Sequence, residues 1–137
     1  MNEIEKLYEN AGVNKIFKYY ECSYGTSSIQ VCPIPLGDCI GVCDRKSIWD
    51  YPSFTAEKQI ELIKWLARSK NGIGIDLFGL GNPQVKTVWD IGVEFQWEDY
   101  NHTFEHKDFD QALAGLINSL WQDLTEEERK QIKEILE

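Results

Sequence analysis

The fold is decided by the stretch 85–98, VKTVWDIGVEFQWE, in which apolar and polar residues alternate along the whole length. One side of this pattern carries Val85, Thr87, Trp89, Ile91, Val93, Phe95 and Trp97. The other side carries Lys86, Val88, Asp90, Gly92, Glu94, Gln96 and Glu98. Successive side chains of a strand point to opposite faces, so the pattern predicts a long antiparallel strand with one buried and one wet face.

Four amphipathic helices are predicted around this strand, because apolar residues recur at helical spacing in 2–11, 55–70, 108–124 and 125–136. Gly12 is a plausible stop for the first helix. Thr55 is a good N-cap for the second. Asp108 with Gln111, and Thr125 with Glu128, have the spacing of a capping box at the third and fourth.

The remaining strands are predicted at 15–22, at 73–78 and in a hairpin that pairs 28–33 with 39–44 about a turn at 35–38. The segments 45–54 and 99–108 are predicted to be loops. The order of elements indicates one α+β domain over 1–137. Its antiparallel sheet is expected to have about four to five strands, with the amphipathic helices packed on one face.

Composition excludes several classes of protein. Of the 137 residues, 42% are hydrophobic and 12% aromatic, which is too many for a disordered chain. With 14 basic and 23 acidic residues the net charge is −9, which disfavours direct binding to nucleic acid or to an anionic membrane. A charged N-terminus and the lack of a run of roughly 18 apolar residues indicate a cytoplasmic protein.

The negative charge is concentrated in one region. Residues 69–137 hold 14 acids against 6 bases, and 87–110 hold 7 acids against Lys107 alone. This is typical of a solvated strand face, or of a surface that imitates nucleic-acid charge and binds a basic groove on another protein. Acids four residues apart on a strand lie about 13 Å apart, so a mimic needs further acids from neighbouring elements. The predicted partner-binding residues are Asp90, Glu94, Glu98, Asp99, Glu105 and Asp108.

The cysteines and histidines offer weaker candidates for chemistry. Zinc sites usually pair two close cysteine knuckles, whereas here only Cys39 and Cys43 are close to one another; Cys22 and Cys32 form no second knuckle. Buried thiols in strands are the favoured reading, and zinc or a redox thiol is the alternative. His102 and His106 are predicted to lie in a surface turn. No catalytic residue, metal site or cofactor is therefore predicted.

Two of the five tryptophans fall outside the predicted apolar faces. Trp49 lies in the predicted loop at 45–54, and Trp65 follows Lys64 at the edge of its helix. A core or rim position is the favoured reading for both. An exposed tryptophan would mark a binding surface, because large aromatic side chains dominate many protein interfaces.

Three segments together form a recognisable pattern: 54–66 (FTAEKQIELIKWL), 111–128 (QALAGLINSLWQDLTEEE) with 131–136 (QIKEIL), and 4–12 (IEKLYENAG). They resemble segments of a group of small uncharacterised proteins from phages and prophages of Firmicutes. The resemblance implies a phage setting but no catalytic residues. The unmatched stretches 13–51 and 72–107 hold the predicted strands and loops, where binding specificity would lie.

Three functional hypotheses follow. The first is a non-enzymatic phage protein that binds a host protein by surface occupation, with a defence system such as a CRISPR effector as candidate target. The second is a small-molecule or zinc-binding protein or enzyme with its site near Cys39 and Cys43 or near His102 and His106. The third is a phage structural or assembly protein. The sequence leaves the oligomeric state open.

Overall fold

A computed structural model describes residues 1–24, 29–31, 43–70, 72–79, 84, 87–94 and 101–137; at 22–24, 29–31, 43–45, 94 and 101 it describes the backbone alone. Within these ranges the elements are α1 (Glu3–Ala11), β1 (Ile16–Tyr24), β2 (Ile29–Val31), β3 (Cys43–Asp50), α2 (Ala56–Ser69), β4 (Ile73–Phe78), β5 (Val88–Glu94), β6 (Asn101–His106), α3 (Phe109–Leu120), a short 3₁₀ helix (Trp121–Asp123) and α4 (Glu126–Leu136). The predicted α+β class is confirmed.

The chain divides into two compact units. The larger comprises Met1–Asn14 with Ser53–Glu137, and the smaller is Lys15–Pro52. The six strands form two antiparallel sheets of three, one in each unit, where the sequence predicted one sheet of about four to five strands. The alternation pattern identifies strands but does not specify their partners, because pairing depends on contacts far apart in sequence. The single domain over 1–137 stays a prediction.

In the larger unit, β5 lies between β4 and β6 and buries one face under α3. Ile91 and Val93 of β5 are 0% and 1% exposed, as the alternation predicts. α3 contacts β5 and β6, and Gly115 of α3 lies so close to Phe104 of β6 that a Cβ there would overlap the ring. α3 supplies more of the described core than any other element, because its residues from Ala112 to Ile117 are all buried.

Hydrogen bonds at the helix ends fix α1 to α3 and cap α2 and α4. The Gln111 side chain accepts a hydrogen bond from the Glu3 backbone N–H at 2.9 Å, so α1 is fixed to the start of α3. The predicted capping box of Asp108 with Gln111 was therefore wrong: Asp108 occupies the N-cap position, but its side chain makes no capping bond. The capping box of Thr125 with Glu128 is confirmed, and Thr55 caps α2 by accepting from the Lys58 N–H.

In the smaller unit, β1 is the central strand, with β2 and β3 on either side of it. The predicted hairpin between 28–33 and 39–44 is wrong for the described parts of its arms, because 29–31 and 43–44 both pair with β1 and lie on opposite edges of the sheet; 32–42 lie outside the described residues. The predicted loop at 45–54 was also wrong over 45–50, which belongs to β3. The nine residues of β1 are long enough to pair with both neighbours, and a bulge between Phe17 and Tyr19 adjusts the register with β3.

The phenol of Tyr8, in α1, is a titratable group buried in the core. Its side chain is 1% exposed, its ring meets Phe54 edge to face at 6.3 Å between centroids, and the Lys58 ammonium lies 5.9 Å from the ring centroid. Burial raises the pKa of Tyr8 from 10.0 to about 12. Between these values the unfolded chain releases the phenol proton while the folded chain retains it, so stability falls as pH rises.

We expect Tyr8→Phe to remove this part of the alkaline destabilisation. Between pH 10 and 12 the free energy of unfolding of the wild type should fall by about 2 kcal/mol more than that of the variant, since each pKa unit is worth about 1.4 kcal/mol and part of the loss falls outside this pH range. Urea unfolding at both pH values measures the difference. Tyr19→Phe, at an exposed tyrosine, is the matched control, and an equal fall in wild type and Tyr8→Phe would contradict the assignment.

Candidate functional site

The outward face of the β4–β5–β6 sheet carries three carboxylates in one row. Asp90 of β5 pairs with Asp76 of β4 on one side and with Glu105 of β6 on the other. Paired residues of antiparallel strands share a face with their Cβ atoms about 5 Å apart, so the row spans roughly 10 Å across the sheet. Asp76 and Glu105 are exposed and Asp90 is half-buried. Asp76, Asp90 and Glu105 are called the acid row below.

The acid row is not neutralised within the described part of the chain. The ion pairs found there do not involve these three residues. In addition, Oδ1 of Asp90 is buried without a described hydrogen-bond partner. Like charges placed directly opposite on neighbouring strands are destabilising, so the protein maintains this arrangement at a cost in stability.

The surface beside the acid row is flat. The next row of paired residues is Gly74, Gly92 and Thr103, and a Cβ on Gly92 would lie 2.8 Å from Cγ2 of Thr103. Gly92 is therefore required for β5 and β6 to pack with Thr103 at this point. On the other side of the acid row lie Val88 and Phe78, whose side chain is 50% exposed. A partner can thus approach the carboxylates between the flat row of Gly74, Gly92 and Thr103 and the exposed side chain of Phe78.

Of the six predicted partner-binding residues, two lie together in the acid row, two lie elsewhere and two lie outside the described residues. Asp90 and Glu105 are brought together, whereas the backbone of Glu94 pairs with that of Asn101 further along β5. Asp108 is exposed, but it follows β6 and lies outside the acid row. Glu98 and Asp99 lie outside the described residues.

Asp76 is the member of the acid row that the sequence prediction missed. Its strand was predicted, and in Ile73–Phe78 it alternates with Ile73, Ile75 and Leu77. The register that places it opposite Asp90 was not available from the sequence.

The histidines lie in a strand and not in the predicted turn. His102 and His106 are four residues apart on β6, on the face opposite the acid row, and about 13 Å separates positions at this spacing in a strand. They are therefore too far apart to bind one metal ion. Among the described residues no group of three His, Cys, Asp or Glu could hold a metal ion. The cysteine side chains lie outside the described part, so the buried-thiol prediction and its zinc alternative stay predictions.

A small cleft lies beside His106. It measures about 360 Å³ and is lined by Met1, Asn2, Glu3, Phe104, His106, Asp108 and Gln111. The Asp108 backbone N–H donates to Nδ1 of His106 at 3.0 Å, which occupies that nitrogen. Burial opposes the charge of Glu3, but hydrogen bonds from Asn118 and Lys6 lower its pKa overall and keep it ionised. The cleft thus presents a carboxylate and a histidine at the N-terminus of α1.

Trp65 and Trp49, the two tryptophans outside the predicted apolar faces, differ in exposure. Trp65 is 3% exposed and donates its ring N–H to Gln131 at 2.7 Å, so it is a core residue. Trp49 is 55% exposed and lies on β3, where its ring meets Phe17 at 5.8 Å between centroids. Phe17 also contacts Tyr20 at 4.7 Å, so the smaller unit presents an aromatic patch made of these three residues.

No protein-family model matches the chain, and comparison with curated proteins and with solved structures gives no match. Among the described residues, none of the helices has the length and apolar character needed to cross a membrane.

We expect Asp90→Asn to stabilise the larger unit. The substitution removes the central charge of the acid row and supplies an amide that can donate to the two neighbouring carboxylates. The gain should be about 0.5 to 1 kcal/mol at low ionic strength and smaller at high salt. Urea unfolding at two salt concentrations measures it. Asp123→Asn, at an exposed acid outside the sheet, changes the net charge equally and should change stability little; destabilisation by Asp90→Asn would contradict repulsion within the row.

Proposed function

We propose that this chain is a phage-encoded accessory protein that binds a host protein through the acid row and occupies a basic surface of it. The observation that carries the proposal is the pairing of Asp76, Asp90 and Glu105 across three strands. The row of carboxylates is not neutralised by a described residue and lowers stability. Such a cost is typical of a surface that is maintained for function. Its complement is a cluster of Lys and Arg on the partner.

The spacing of the row suits an imitation of nucleic-acid charge. Neighbouring strands lie about 4.8 Å apart, which brings the carboxylates much closer together than acids along a single strand. One DNA strand carries a charge about every 3.4 Å along its axis, so the row approaches that density over its length. The partner class that fits is a host protein with a groove for nucleic acid, and a defence nuclease such as a CRISPR effector belongs to this class.

The proposed phage setting rests on the sequence resemblance. The resembling segments and the acid row lie in different parts of the fold. The resembling stretches coincide with α1, α2, α3 and α4, whose apolar side chains build the core of the larger unit. The acid row lies in 72–107, which has no counterpart in that resemblance. A shared helical scaffold with a distinct sheet surface suits a binding protein whose target is specific. We further propose that the protein acts in the cytoplasm of the host bacterium, by occupation and not by catalysis.

The test is a charge reversal at the exposed ends of the row. Asp76→Lys with Glu105→Lys should abolish capture of the partner from a host lysate, because it inverts the surface potential that attracts a basic groove. Glu9→Lys with Glu134→Lys changes the net charge by the same amount at exposed helical positions and should leave capture unchanged. Circular dichroism of all three proteins shows whether they are folded.

The captured partner then gives a quantitative measurement. Its association rate with the wild type should fall steeply with salt, and the row variant should associate at least about tenfold more slowly at low salt. Nucleic acid should compete with the wild type for the partner. Capture of the same proteins by the row variant, or a partner whose binding nucleic acid does not affect, would contradict the proposal.

A further inference from the structure

β4 is an edge strand with the features of a pairing surface. It lies at the end of the order β4–β5–β6, so in the described part of the chain its outer N–H and C=O groups face no strand. Natural edge strands are usually blocked by charged side chains, most often Lys, by Pro or by a bulge; Asp76 is the one charged residue of β4. The sequence of β4, Ile73–Phe78, contains no basic residue and no proline, and its register with β5 is regular.

The apolar face of β4 is incompletely covered. Ile75 pairs with Ile91, which is fully buried, yet Ile75 itself is 40% exposed. The reason is that α3 covers the sheet at β5 and β6, and β4 receives only slight contact from α2. Ile73 and Leu77, on the same face as Ile75, are half-buried. Within the described ranges, apolar surface is therefore exposed next to an edge that no strand pairs with.

We propose that β4 pairs antiparallel with β4 of a second copy of this chain, in a register centred on Ile75. In this register Ile75 lies opposite Ile75, Ile73 opposite Leu77, and Gly74 opposite Asp76. Five of the six residues of β4, Ile73 to Leu77, are used, and the apolar side chains of both copies lie on one face. Because the contact is the same for both chains, it is isologous and closes as a two-fold dimer.

Charge disfavours the neighbouring register that is centred on Asp76. A two-fold centre at Asp76 would place two aspartates directly opposite each other, which is destabilising. With the centre at Ile75, each Asp76 lies opposite Gly74, where a Cβ would meet no atom within 4 Å. The register therefore gives each carboxylate open space and keeps it apart from its equivalent.

The dimer would join the two sheets into one of six strands, with both acid rows on the same face. The two Asp76 positions would be offset by two residues along adjacent strands, or roughly 8 Å. Repulsion between the rows opposes the dimer at low salt, so added salt should strengthen it. The inference does not depend on the proposed function, because it concerns the purified chain alone.

Sedimentation equilibrium of the full chain tests the inference. We expect a dimer of twice the 15.9 kDa chain mass that tightens as salt is raised. Ile75→Lys should weaken it at least about tenfold, because it places two ammonium groups opposite each other at the centre. Ile60→Lys, at an isoleucine of α2 that is 51% exposed, is the matched control and should leave the dimer unchanged.

Two variants of Gly74 test the register even if Ile75→Lys fails to fold. Gly74→Asp places an aspartate opposite Asp76 of the second copy and should weaken the dimer, whereas Gly74→Lys places a lysine there and should strengthen it. A monomer at every salt concentration, assemblies larger than a dimer, or equal effects of the two Gly74 variants would overturn the proposal.

Discussion

The register of β5 with β4 and β6 is the constraint on which the rest of the larger unit depends. A slip by one residue would exchange the two faces of a strand. The observed register buries Ile91 and Val93 under α3 and brings Asp76, Asp90 and Glu105 together on the outside. Because burial of the apolar side chains fixes the register, the core aligns these three positions despite the repulsion between their carboxylates. Core and surface are thus two consequences of one pairing pattern.

The separate structural roles of the helices and the sheet follow from this constraint. α3 is apolar enough to cover β5 and β6, and α1 is fixed to its start by the hydrogen bond from the Glu3 N–H to Gln111. One face of the sheet can therefore remain wet and acidic without loss of the core. The same coverage leaves Ile75 of β4 partly exposed beside an edge that no described strand pairs with. Asp76 belongs both to the acid row and to the edge strand β4, so the two proposed contacts share this residue.

Local features of the fold could be predicted from the sequence, and long-range pairing could not. Thr55, Thr125 and Gly12 mark helix ends because their signals involve neighbouring residues. Strand partners involve distant residues, so the hairpin of 28–33 with 39–44 was wrong for the described parts of its arms. Gln111 has the spacing of a capping box, but it bonds α1 instead. The acidic face could be predicted through Asp90, whereas Asp76 required the register. The phage resemblance stays a prediction.

The most direct test of this account is the register of β5 in solution, measured by cross-strand nuclear Overhauser contacts between backbone protons. The account predicts contacts from Asp90 to both Asp76 and Glu105, and from Gly92 to both Gly74 and Thr103. Contacts displaced by one residue, which would pair Asp90 with Ile75 or Phe104, would contradict it. That outcome would remove the acid row and, with it, the surface proposed to bind the partner.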